Sequence, residues 1–211
     1  MTSGVSADVS MLLVALAPFI AALAAPWIKK FAPAHAGWIL ATVPASIFLF
    51  LLSFVDLVVA QKGVSFVLPW VPIAEYVLLG VKIELSFYLD GLSLIFGLLI
   101  SGIGTFIVIY AGGYLNGHPH LGRFFSYILM FMGSMLGLVM ASNVIALFVF
   151  WELTSITSFL LIGFDHSRQA SRRAAIQALV VTGGGGLALL AGLLFLANVI
   201  GSWSMHEIIG S

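Results

Sequence analysis

The stretch "VIALFVFWELTSITSFLLIGF", Val144 to Phe164, is long and apolar enough to cross a bilayer, yet it carries Glu152 near its middle. A spanning helix needs about 20 mostly apolar residues, each rising about 1.5 Å. Glu152 stands nine residues from Asn143 and eleven from Gly163, so at helical rise either end is about 15 Å away. That is close to the bilayer midplane, too deep for a short carboxylate to reach water by snorkelling. A charge at that depth costs at least about 2.5–3.5 kcal/mol. Three states are open: the carboxyl is neutral, its charge is answered by a cation, or it touches a water-filled path. Together they describe a group that loads and unloads a proton. The plainer alternative is a neutral carboxyl that only hydrogen-bonds neighbouring helices.

The rest of the chain agrees with a membrane setting. Its 211 residues are 62% hydrophobic and 8% charged, with a mean hydropathy of +1.18. A soluble domain of this size needs far more charge to cover its surface, so the composition predicts an integral membrane protein. Eight basic and eight acidic residues cancel, and no basic tract is available to follow a phosphate backbone, which argues against a nucleic-acid partner. Without cysteine, this chain supplies no disulfide, iron–sulfur ligand or catalytic thiol.

Six segments have the length and apolarity to span: roughly 10–28, 37–59, 89–115, 124–141, 143–163 and 174–200. The fold class expected is an all-α membrane protein, a polytopic bundle of six transmembrane helices. The first apolar run ends in "AALAAP" but has no basic residue before it, and "WIKK" follows, so a retained helix is expected and not a signal peptide. Pro18, Pro26 and Pro44 are candidate kink positions. Loops 1–2, 3–4 and 5–6 carry Lys29, Lys30, Arg123, Arg168, Arg172 and Arg173, against Lys62 and Lys82 on the other side. The bias predicts odd loops in the cytoplasm and the N-terminus outside. Between helices 2 and 3, "VKIELSFYL" alternates with period two and "VSFVLPW" is its candidate partner, which predicts a small extracellular β-hairpin.

On the helical face of Glu152 lie Phe148, Val149, Ser155 and Ile156, with Thr154, Thr157 and Ser158 also on the segment. Ser155 and Thr154 are the hydroxyls expected to support the carboxyl, directly or through water. Every Lys and Arg falls in a loop or at a helix end, so a cation for Glu152 must come from another chain or from further sequence. Asp56 and Asp90 are weaker candidates: one lies near the end of helix 2, and the other starts helix 3, where an acid suits the helix dipole.

Glycines mark packing faces. Gly183 to Gly186, in "VVTGGGGLALLAG", lack the Lys-Ser/Thr of a phosphate loop and suit close approach of a neighbouring helix. Gly133 and Gly137 have GxxxG spacing. His118 and His120 form "HPH", with no acid or cysteine nearby to complete a metal site, so solvated histidines are expected and no metal is assigned. No nucleophile–base pair, redox-cofactor motif or paired catalytic carboxylates are visible, so no cofactor is expected in this chain.

Three stretches carry a resemblance: "FYLDGLSLIFGLLISGIGTFIVIYAGGYL", "FFSYILMFMGSMLGLVMASNVIALFVFWELTSITSFLLIGF" and "AAIQALVVTGGGGLALLAGLL". They resemble the antiporter-like membrane subunits, the superfamily of the large complex I subunits and the Mrp-type multisubunit Na+/H+ antiporters. The "FWELTS" signature is similar to that of the large A-type Mrp subunits. The resemblance covers about residues 85 to 200. It implies a larger bundle with inverted repeats, of which residues 1–211 are the N-terminal part, helices 1–6. It also implies that Glu152 works with a Lys on a broken seventh helix, the cation missing here. Gln177, Gly183 and Gly186 stand where the complex I pattern has Lys, Arg and Asp, which argues against that branch; the resemblance also implies a Lys at the position of Gln177 in many A-type antiporter subunits, which puts a relay through Gln177 in doubt.

The resemblance thus implies a secondary-transporter subunit, not an enzyme, in a hetero-oligomeric complex of the bacterial inner membrane. Glu152 is then the proton carrier, with Thr154, Ser155 and Gln177 in support, and cytoplasmic Na+ is exchanged for external H+. The alternative it implies is a proton-pumping membrane subunit of a redox complex, an NADH-quinone oxidoreductase or a membrane-bound hydrogenase.

Overall fold

The computed structural model describes residues 2–60, 64–69 and 84–210. Among these, helices dominate. They are α1 (Thr2–Phe31), α2 (Ala36–Leu52), α3 (Val55–Val59), α4 (Gly91–Tyr114), α5 (Leu121–Met140), α6 (Val144–Ile162), α7 (Gln169–Ile200) and α8 (Met205–Gly210). Six spans are long and apolar enough to cross a membrane, with α2 and α3 together making the second. Pro18 and Pro26 lie inside a continuous α1, and Pro44 inside α2. The second span is interrupted at Ser53 and Phe54.

α5 is the centre of the bundle, packed against α1, α4 and α6, while α2 packs on α4. The core is built from residues such as Phe125, Leu129, Leu136 and Met140 of α5, Leu40 and Leu51 of α2, and Met11 and Ala25 of α1. Glycines set how closely these helices meet. Gly37 of α2 and Gly112 of α4 bring their backbones together, so that a β-carbon on Gly37 would lie 3.0 Å from the Gly112 α-carbon. Gly133 receives the ring of Phe19 from α1, and Gly137 the ring of Phe150 from α6. The GxxxG face on α5 therefore seats two aromatic rings and not a second small-residue helix.

The two ends of the bundle differ in charge. At one end Arg123, near the start of α5, donates from Nη2 to the Phe164 carbonyl in the α6–α7 turn at 3.2 Å. Gly122 packs there on Pro26 and Lys29 of α1. Lys29, Lys30, Arg123, Arg168, Arg172 and Arg173 thus share one end, and Arg172 and Arg173 lie within the first turns of α7, which begins earlier than expected. Lys62 and Lys82 lie outside the described residues.

At the other end, strands β1 (Val64–Pro69) and β2 (Glu84–Leu89) pair antiparallel, Val64 opposite Leu89 and Pro69 opposite Glu84. The turn of the expected hairpin falls within 70–83, outside the described residues. β2 is tied to the bundle where the Ser142 N–H donates to the Ser86 carbonyl at 2.9 Å. Gly201 closes α7 with φ 77°, a left-handed cap that favours glycine. The chain then returns so that Asn143 pairs with Ser204, and α8 follows, an element the sequence pattern does not announce.

Candidate functional site

The site is built on the contact between α6 and α7. Asn143 caps α6, its side chain accepting from the Ile145 N–H at 2.8 Å. Glu152 follows eight residues after Val144 and ten before Ile162, the middle of the helix. α7 runs antiparallel to α6 and buries Ala175, Gly186 and Ala197. These are eleven residues apart, close to three full turns, so they form one stripe along the helix. A β-carbon on Gly163 would lie 3.3 Å from the Ala175 β-carbon, and Ala197 clusters with Val144. Gly163 is eleven residues beyond Glu152, and Ala175 is eleven before Gly186. The register set at Gly163–Ala175 therefore brings Gly186 opposite Glu152.

The fit there is close. A β-carbon on Gly186 would overlap Glu152 Oε1 and lie 3.3 Å from both Glu152 Cδ and Trp151 Cδ1. Gly183, Gly184 and Gly185 have nothing within 4 Å of the same position. Among the described residues, only the last member of the glycine run receives a neighbour. Glu152 Oε1 is buried and has no hydrogen-bond partner among the described residues. Each described Lys and Arg sits at the basic end of the bundle, away from the middle of α6.

The hydroxyls beside Glu152 are occupied locally. Thr154 Oγ1 donates to the Trp151 carbonyl at 2.7 Å, and the buried Ser155 Oγ donates to the same carbonyl at 3.2 Å. Thr157 Oγ1 donates to the Leu153 carbonyl at 2.7 Å. Gln177 lies exposed on α7, nine residues from Gly186 and about 13.5 Å along the helix at standard rise, so the structure does not bring it to Glu152.

The two other acids take structural positions. Asp90 is the N-cap of α4 in a reciprocal capping box: its carboxylate accepts from the Ser93 N–H at 2.8 Å, and Ser93 Oγ accepts from the Asp90 N–H at 2.7 Å. Asp56 is exposed in the first turn of α3. His118 and His120 meet edge-on at the basic end, His118 beside Phe164 and His120 beside His166. No group of three or more metal-ligating side chains is assembled among the described residues. Gly186 is the residue that sequence reasoning missed as part of the site. Ala175, Gly186 and Ala197 recur every eleven residues, but α7 carries other small residues as well, so the sequence alone does not single out Gly186.

Comparison with known proteins bears on this arrangement. Residues 76–125 match the model described as "NADH-Ubiquinone oxidoreductase (complex I), chain 5 N-terminus". Residues 141–211, which hold Glu152 and Gly186, match "NADH:quinone oxidoreductase/Mrp antiporter, TM". The chain is 44% identical over 193 residues to the A1 subunit of a Na(+)/H(+) antiporter of Staphylococcus aureus, a match covering 91% of this chain and 23% of the relative. It thus spans about a quarter of the length of the curated relatives it matches. The Mrp complex of Dietzia sp. superimposes with a TM-score of 0.81 at 31% identity, over 94% of this chain and 20% of that one. An archaeal membrane-bound sulfane sulfur reductase shares the fold, with a TM-score of 0.71 at 20% identity over 92% of this chain and 29% of that one.

Proposed function

Because the chain belongs to the antiporter-like membrane subunits shared by complex I and Mrp antiporters, and corresponds to the N-terminal portion of the large A-type Mrp subunits, we propose that it takes part in monovalent cation/proton antiport. Its six spans are the N-terminal part of a larger membrane domain, working with other subunits in a bacterial inner membrane. The basic end faces the cytoplasm, the N-terminus and the β-hairpin lie outside, and cytoplasmic Na+ is exchanged for external H+.

Glu152 is the proton carrier. The observation that carries this role is its placement: a carboxylate in the middle of a spanning helix, with one buried oxygen lacking a hydrogen-bond partner and no described cation at its depth. A carboxylate in such a place changes charge at low cost only if a mobile counter-charge approaches it. A Lys outside these six spans supplies that charge, so proton loading on Glu152 is coupled to the cation's position. Ser155 and Thr154 support the site through water that reaches their hydroxyl oxygens.

The redox-complex alternative shares the family and the fold. The absence of the Arg and Asp of that pattern at Gly183 and Gly186, together with the 44% identity to antiporter subunits, favours antiport. The test is Glu152→Ala in the full-length protein within its complex, assayed for ΔpH-linked Na+ exchange in vesicles. Loss of exchange with normal membrane insertion is expected; full exchange overturns the role.

A further inference from the structure

We propose that Gly186 is a positioning residue, the seat that holds the Glu152 carboxylate against the backbone of α7; this rests on the reading of Glu152 as the proton carrier. Among the described residues, the β-carbon positions of Gly183, Gly184 and Gly185 meet nothing within 4 Å, and that of the fourth glycine meets the carboxylate. Any side chain at 186 would occupy the volume now filled by Oε1. Along the helix pair the seat is held by Ala175 against Gly163 on one side, and on the other Ala197 lies in one buried cluster with Val144 and Ile208. Trp151 closes one flank, its Cδ1 also within 3.3 Å of the Gly186 β-carbon position.

The seat has a chemical consequence. A glycine surface offers the carboxylate room without a hydrogen bond, since the N–H and C=O groups at 186 lie within the α7 ladder. The oxygen stays close to the next helix yet remains available to a partner that arrives from elsewhere. A hydroxyl or amide side chain in the same place would bind the carboxylate locally, and a methyl group would push it away. Gly186 therefore sets where Glu152 exchanges its proton and keeps competing donors out.

The test uses the full-length protein in its assembled complex and two readouts. Gly186→Ala is expected to lower Na+/H+ exchange by roughly tenfold or more, as displacement of a reacting group does, while Gly185→Ala retains it. Equal loss in both variants overturns the proposal, because it would report a general need for glycine. The second readout is the thermal midpoint of the complex, which does not depend on exchange. With Glu152 present, Gly186→Ala lowers the midpoint by collision. In a Glu152→Ala background the same change raises it, because alanine is the better helix former. The same sign in both backgrounds overturns the seat. Full exchange in Glu152→Ala alone removes the carrier reading but leaves the thermal comparison to decide the seat.

Discussion

Glu152 Oε1 occupies the space a β-carbon would need on Gly186, so a carboxylate of α6 and a glycine of α7 share one position in the bundle. The pairing follows from the antiparallel register of the two helices. Small residues recur every eleven positions on α7: Ala175 meets Gly163, Gly186 meets Glu152, and Ala197 lies in a buried cluster with Val144 and Ile208.

The register itself is open to test. Ala175→Leu wedges a larger side chain against Gly163 and pushes α7 off α6. Overpacking of this kind costs about 1–3 kcal/mol. The expected outcome is a lower thermal midpoint of the complex and reduced exchange, with Glu152 unaltered. Exchange and midpoint both at wild-type values would show that this contact does not set the register.

Gly137 makes a second specific claim. Its face is filled by the Phe150 ring, two residues before Glu152 on the same helix. Gly137→Ala is expected to destabilise the bundle by about 1–3 kcal/mol, and Phe150→Leu in the same chain to recover much of that loss. Denaturation of the single and double variants measures both, with the coupling read from the cycle.

Asp90 separates a structural acid from a functional one. Asp90→Ala removes a reciprocal cap and is expected to cost about 0.5–2 kcal/mol, while Asp90→Asn, which still accepts from the Ser93 N–H, costs less. Exchange per assembled complex stays near wild type in both. Vesicle assays normalised to assembled complex check this, and loss of exchange in Asp90→Asn would assign the charge a transport role.

Residues 1–211 contain no cysteine, so single cysteines placed in them, with any cysteine elsewhere in the complex replaced, report their orientation. Asn116→Cys, in the turn between α4 and α5 at the basic end, is expected to react with an impermeant maleimide only from the cytoplasmic side. Ser202→Cys, beyond α7 at the opposite end, is expected to react only from outside. The reverse pattern would invert the topology.

Much of the architecture was legible because bilayer burial leaves long apolar runs, and the six spans lie within a few residues of where apolarity placed them. Glu152 stood out for the same reason: one carboxylate in a 21-residue apolar stretch is costly unless it is used. The environment of Glu152 was less legible. Helical spacing names the neighbours on its own helix, but Ser155 and Thr154 turn their donors to the Trp151 carbonyl. The residue that does touch the carboxylate is on another helix and has no side chain. The glycine run read as uniform in sequence, because only the rotation of α7 against α6 tells Gly186 from its three predecessors. Gln177 was drawn in by its aligned position, and its distance along α7 is set by that same helix geometry. The short α8 escaped notice because its hold is a return of the backbone to Ser142 and Asn143, which no local pattern announces.

The most direct measurement is Na+-driven ΔpH in vesicles carrying the assembled complex with Glu152→Gln. Glutamine keeps the size and shape of the side chain against Gly186 but cannot take up or release a proton. The account predicts assembly and a thermal midpoint close to wild type with exchange abolished. Wild-type exchange in Glu152→Gln would contradict it.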